Sequence, residues 1–323
     1  MIDRRRFVAL AGSFALASAA GRPALAADWP TRPVHLVVPF APGGSTDVVA
    51  RLTTERLSRS WDQQVVVENK PGAGTTLAAA MVASADPDGY TIFMGTSSLA
   101  TSRHLYRSLP FEISDFAPVT LVCSFPLVII APNSSPAKSM AEFIAYARAN
   151  KGHVSYASPG VGTTPHLAGE LLKQMTGIEM THVPYRGDAP ALTDTMAGRV
   201  DIQIAGPIVL EQVKSGQVRG LAVTTGERSP LAPELPAVAE AGVPGFDVKA
   251  WFAFFVPAKT PPSIIEKINR DTVAALHDPA VKGKLEAIGM VAAGTTPEAL
   301  GTLVKAETDK WGAVIKQAKI SLD

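Results

Sequence analysis

The chain has 323 residues, long enough for one large or two medium domains with real cores. It carries 30 basic against 29 acidic residues, so no net charge recruits nucleic acid. Its single cysteine, Cys123, excludes an internal disulfide and a cysteine-rich metal site, and apolar neighbours (Leu121, Val122, Phe125) favour a buried structural thiol.

In chain order, the first segment reads as an export signal. Arg4, Arg5 and Arg6 precede an apolar run from Phe7 to Ala20, and Ala24-Leu25-Ala26 forms a small-x-small cleavage site. Arg4-Arg5-Arg6-Phe7 also resembles the twin-arginine pattern, with Asp3 in place of the usual Ser or Thr. Removal of residues 1–26 leaves 26 basic and 28 acidic residues, a net of −2. A soluble, exported protein beginning at Ala27 is expected.

The apolar run Val34–Phe40 predicts a strand, Ala41-Pro42-Gly43-Gly44 a turn, and Thr46–Arg59 a helix with Val48, Val49, Leu52 and Leu57 on one stripe. Val65–Val67 is a second strand, followed by a glycine turn through Gly72 and Gly74 and a helix over Thr76–Ala85. Tyr90–Met94 is a third strand, ending at Gly95-Thr96-Ser97-Ser98. Strand–helix–strand–helix–strand argues a mostly parallel sheet flanked by helices, with ligands beyond the carboxyl ends of its strands.

A second such unit begins near Pro126–Ile130. Ser139–Glu142 is a capping box for a helix to Ala149. Val154–Ser158 predicts a strand and Pro159–Gly162 a glycine turn. A helix over Pro165–Met175 follows, capped by Thr163 or Thr164 and ended by Gly177. Strands at Thr181–Tyr185, Asp201–Ala205 and Arg219–Thr224 alternate with helices at Ala189–Ala197 and after Gly206-Pro207. Gly226–Gly245 reads as a surface connection and Trp251–Val256 as a buried strand. The remainder is helical, with capping boxes at Ser263–Glu266 and Thr295–Glu298 and a last helix over Pro297–Lys319. These helices need a sheet to cover, and the first unit has only three strands, so the tail is expected to return there. That gives lobe I from 27–121 and 250–323, lobe II from 122–249, and crossing segments near 117–126 and 246–256.

The two strand–turn–helix units at Gly43–Thr46 and Gly162–Thr164 each place unsatisfied N–H groups and a partial positive charge beside glycines. Such helix starts hold a small anion without a cationic side chain. Enzyme signatures are absent: no dinucleotide fingerprint, phosphate loop, nucleophile elbow or metal-binding histidine pair is present. No catalytic residue, cofactor or metal is expected. His166 has two readings, a local first-turn hydrogen bond or a donor to the ligand. Asp47 is read as a cap, Asp188 as a cap or a ligand contact, and Arg186 as a solvated or lobe-bridging charge. Thr96 and Ser97 are turn-closing groups or ligand donors.

Trp29-Pro30-Thr31-Arg32-Pro33 with Val37–Asp47 resembles the opening of the Bug-type (TctC-like) solute-binding receptors of tripartite tricarboxylate transporters. The resemblance continues in order through Glu68–Gly74, Pro87–Thr91, Asp115–Val119, Gly162–Leu167 and Pro184–Gly187. It implies a two-lobed α/β periplasmic-binding-protein (Venus flytrap) fold. The expected function is capture of a small organic carboxylate for membrane transporter subunits by a protein expected to be a monomer. It further implies that Phe40, Ala41, Gly43 and Gly44 face the ligand from one lobe, and Gly160, Gly162, Thr163, Thr164 and His166 from the other. Asp188 is then a candidate specificity element. Two alternatives stay open on the sequence: an exported enzyme acting on a small organic acid, and a sensory ligand receptor.

Overall fold

The computed structural model describes residues 29–318 and 320; the segment expected to direct export lies outside them. The first sheet starts with β1 (Val34–Val38), which leads through Gly43 into α1 (Ser45–Trp61). β2 (Val65–Asn69), α2 (Thr76–Ala83), β3 (Thr91–Thr96), α3 (Ser98–Leu105) and β4 (Phe116–Pro126) follow. β1 pairs in parallel with β2 and β3.

The second sheet contains β5 (Val128–Pro132), β6 (Ser155–Ser158), β7 (Thr181–Pro184), β8 (Ile202–Ala205) and β9 (Val218–Val223). Its helices are α4 (Met140–Ala149), α5 (Thr164–Thr176), α6 (Asp188–Met196) and α7 (Leu210–Lys214). The chain then returns through β10 (Lys249–Pro257) to the first sheet. It ends with α8 (Pro262–His277), α9 (Pro279–Ala287), β11 (Val291–Ala292) and α10 (Pro297–Ala318).

The sheet orders are β11-β4-β10-β3-β1-β2 and β7-β6-β8-β5-β9. The architecture is the expected two-lobed α/β fold, but the sheets are mixed rather than mostly parallel. β10 runs antiparallel to both β3 and β4, because the chain leaves the first sheet on β4 and re-enters it in the opposite sense. β5 is antiparallel to β8 and β9 for the same reason, being the strand on which the chain enters the second sheet.

Several local expectations shift. α3 was not legible, because Ser98–Leu105 is too polar to show an apolar stripe. The Ser263 box does not form: Pro262 takes the first helical position, where its missing N–H costs nothing. Likewise Thr296, not Thr295, caps α10 by accepting from Ala299 N at 3.2 Å. The segment 226–245 is irregular but not superficial, since Ala232, Leu235, Ala237 and Val238 are buried.

Side chains from β1, β3 and β10 (Leu36, Ile92, Met94, Phe254) pack with Val49 and Leu57 of α1 and Ile268 of α8. Each fully buried Leu or Phe of this kind contributes about 1.5–3 kcal/mol. Leu300 and Val304 of α10 cover the opposite face with Val37, Phe93 and Phe255. The rigid product is a pair of sheets whose strand ends and helix starts face one another.

Candidate functional site

Three helices begin at the seam between the sheets. α1 opens behind Gly44, α5 behind Thr163 and α6 behind Gly187. Gly43 (φ +83°) and Gly162 (φ +78°) take the left-handed conformation that turns each strand end into its helix.

The turns are braced from within. Asp47 Oδ2 accepts from Gly43 N (3.0 Å) and Arg51 Nε (2.9 Å), and Oδ1 accepts from Asn69 Nδ2 (3.0 Å). Burial opposes the Asp47 charge, but the bonds from Arg51, Gly43 and Asn69 outweigh it and hold the carboxyl below the usual range. Asn69 Nδ2 also donates to Phe40 O (2.9 Å). Asp47 is thus a turn brace, in keeping with its reading as a cap.

In the second turn Thr163 Oγ1 donates to Gly160 O (2.7 Å) and accepts from His166 N (3.5 Å). Gly162 N donates to His166 Nδ1 (3.1 Å), which places the ring proton on Nε2. The His166 ring stacks on His182 with centroids 4.1 Å apart, and His182 Nε2 lies 2.7 Å from Ser158 Oγ. Burial pushes His166 down to about 4 and His182 to about 3, so both rings are neutral. His166 therefore makes the local first-turn bond. The N–H groups of Gly43 and Gly162 are both spent on side chains of their own turns.

Between the sheets lies a narrow cavity with about 30 Å³ of free space, so the lobes stand close together here. Its apolar walls are Phe40, Phe125, Leu127, Ala250 and Phe252, and its polar lining includes Ser45, Thr46, Thr96, Ser97, Thr163, Thr164 and Asp188. No Lys, Arg or His is among the described residues that line it. Of the sequence-predicted positions, Phe40, Gly44, Thr96, Ser97, Thr163, Thr164 and Asp188 meet here. Gly160 borders the adjoining opening with Phe40 and Pro159. Ala41 lies on the seam, donating its N–H to Arg186 O at 2.9 Å, while Gly43, Gly162 and His166 stand behind the lining. Sequence reasoning missed Phe125, Leu127, Ala250 and Phe252, which belong to or border the crossing strands.

The seam is closed by direct contacts. Ser97 Oγ and Thr164 Oγ1 are 2.6 Å apart, and Thr101 Oγ1 lies 3.5 Å from Gly162 O. Asp188 sits among the opposed helix starts. Burial pushes its carboxyl up to about 6, only partly offset by the Ser45 hydroxyl and the backbone N–H groups of Gly206 and Ser45. The helix starts bring a partial positive charge and the first-turn N–H groups of Thr46 and Thr164 to this lining, which together with its hydroxyls suits an anion.

Comparison with known proteins agrees with this geometry. Residues 49–320 match the model of the family described as "Tripartite tricarboxylate transporter family receptor". The protein BugT of Bordetella pertussis is 35% identical over 325 residues, covering 99% of this chain and 100% of its own. Among solved structures, R. palustris Rpa4515 with adipate superposes with a TM-score of 0.88 at 40% identity, covering 91% of this chain and all of its own. MatC from Rhodopseudomonas palustris with bound malate gives 0.85 at 33% identity, covering 89% of this chain and all of its own.

Proposed function

The chain belongs to the receptor family of the tripartite tricarboxylate transporters, and we propose from that premise that it is a periplasmic, non-catalytic receptor which captures a small organic carboxylate and delivers it to membrane transporter subunits. The observation that carries this reading is a cavity between two sheets, lined by hydroxyls and helix starts and with no cationic side chain among the described residues that line it. Adipate and malate in the two solved relatives support a carboxylate ligand of similar size.

The anion is held by the first-turn N–H groups of Thr46 and Thr164, by the hydroxyls of Ser45 and Thr46, and by the one proton that the Ser97–Thr164 hydroxyl pair leaves over; Thr163, whose proton goes to Gly160 O, shapes the turn. Charge-assisted hydrogen bonds contribute roughly 1.5–3 kcal/mol each, before the cost of removing water from the acid. A few of them reach the roughly 8 kcal/mol that micromolar binding requires. Lobe I (27–121 and 250–323) and lobe II (122–249) close on the acid about the crossing segments near 117–126 and 246–256. Export with cleavage after Ala26 puts the monomer where a membrane transporter can receive the acid.

Mass spectrometry of the small molecules released by denaturing the native protein tests this. The reading expects an organic acid in near-stoichiometric amount. A neutral or cationic ligand, or turnover of the acid by the purified protein, would count against it.

A further inference from the structure

Asp188 is an unexpected group in an anion cleft. It opens α6 directly behind Gly187, is 9% exposed, and lines the cavity. Its Oδ1 is buried without a hydrogen-bond partner. Its side chain does not cap α6, and among the described residues it makes no ion pair. Ser45, at the start of α1 in the opposite lobe, is 1% exposed and lines the same cavity, and its hydroxyl lies beside the Asp188 carboxyl without a well-formed hydrogen bond. The two side chains meet over Gly206: a Cβ there would stand 3.2 Å from Asp188 Oδ2 and would overlap the Ser45 hydroxyl.

A ligand offering only carboxylates would bring a second anion against Asp188 in a site of low dielectric, where like charges repel strongly. A ligand with a donor beside its carboxylate turns the same contact into an attraction and gives the buried oxygen its missing partner. The Ser45 hydroxyl, held only by a poorly formed contact with Asp188, can turn its proton to the carboxylate itself. The pair therefore presents one acceptor and one donor.

We propose that Asp188 sets the ligand class of the cleft, selecting organic acids that carry a hydrogen-bond donor, a hydroxyl or an ammonium group, next to the carboxylate. The inference rests on the carboxylate-receptor reading and narrows it. The donor bonds to Asp188 Oδ1, and the neighbouring carboxylate lies against the start of α1 and Ser45. Buried acceptors discriminate sharply against analogues that lack the donor, because such analogues leave the acceptor unpaired.

The test is calorimetric titration of the mature protein, freed of bound acid, with two matched series. One is succinate, malate and aspartate; the other is adipate, 2-hydroxyadipate and 2-aminoadipate. In at least one series a substituted acid should bind about tenfold or more tighter than its parent. Asp188→Ala should bring that series within about twofold. The near-isosteric Asp188→Asn keeps a carbonyl acceptor without charge, so it should retain a preference for the hydroxyl and lose one for the ammonium group. Parent acids that bind as tightly as their substituted partners, in an order Asp188→Ala leaves unchanged, would overturn this inference alone. If no acid binds any of the proteins, the carboxylate reading falls and this inference with it.

Discussion

Ser97 Oγ and Thr164 Oγ1 lie 2.6 Å apart across the seam, joining the end of β3 to the start of α5. Both residues are almost fully buried, so the bond holds the lobes together out of water. A neutral hydrogen bond in such a place contributes about 0.5–1.5 kcal/mol. Ser97→Ala is therefore expected to weaken acid binding by about twofold to tenfold. Calorimetry checks this, and an unchanged affinity would mean that the bond plays no part in the closed state.

Gly206 gives a sharper handle on closure. Its φ of −64° suits any residue, so alanine imposes no backbone strain. A Cβ there would nevertheless sit 2.8 Å from Ser45 Cβ in the opposite lobe. Gly206→Ala is expected to lower acid affinity about tenfold or more, by analogy with other overpacked contacts, while the unliganded protein melts at the same temperature or slightly higher. Equal affinity in the variant would show that ligand binding does not require this approach of the lobes.

The stacked histidines predict a pH dependence of stability. His166 stays neutral in the fold down to about 4 and His182 down to about 3, whereas in the unfolded chain both take up protons near 6.5. The unfolded state thus binds more protons between these limits. Stability is full above pH 6.5 and is lost as pH falls towards 3–4, with His166 alone contributing up to about 1.4 kcal/mol per pH unit. Asp188 in the closed cleft acts in the opposite direction, its stability being lost as pH rises through about 6. Comparing wild type with His166→Gln in thermal melts from pH 7 to pH 4 isolates the histidine; parallel curves would refute the assignment.

Cys123 is fully buried, with Sγ 3.8 Å from Met290 Sδ, and burial raises its thiol pKa far above the ordinary value. A thiol reagent at pH 8 should find no reactive cysteine in the native protein and one after denaturation. Rapid labelling of the native protein would contradict this.

Much of the cleft's polar lining was legible because glycine turns and helix starts are local signals. Phe40, Gly44, Thr163 and Thr164 fall within a few residues of such turns, and those residues reach the cavity. The apolar walls were not legible. Phe125, Leu127, Ala250 and Phe252 come from two stretches more than a hundred residues apart, and as apolar residues in strands they read as ordinary core. Nor does sequence show that Gly43 and Gly162 spend their N–H groups on Asp47 and His166, since that depends on side-chain direction. The meeting of Ser45 with Asp188 is likewise a product of how the lobes face each other. Mixed strand directions escaped notice because the alternation of strands and helices does not reveal where the chain re-enters a sheet.

The central claim is that backbone and hydroxyl groups, rather than a cationic side chain, hold a carboxylate between the lobes. Arg186 is the cation beside the opening of the cleft; it is exposed and does not line the cavity. The most direct measurement is calorimetric titration of ligand-free wild type and Arg186→Ala with a panel of small carboxylic acids and their neutral amides. The account predicts that at least one acid binds and its amide does not, with Arg186→Ala within about tenfold of wild type. Loss of all acid binding in Arg186→Ala, or amides that bind as well as acids, would contradict it.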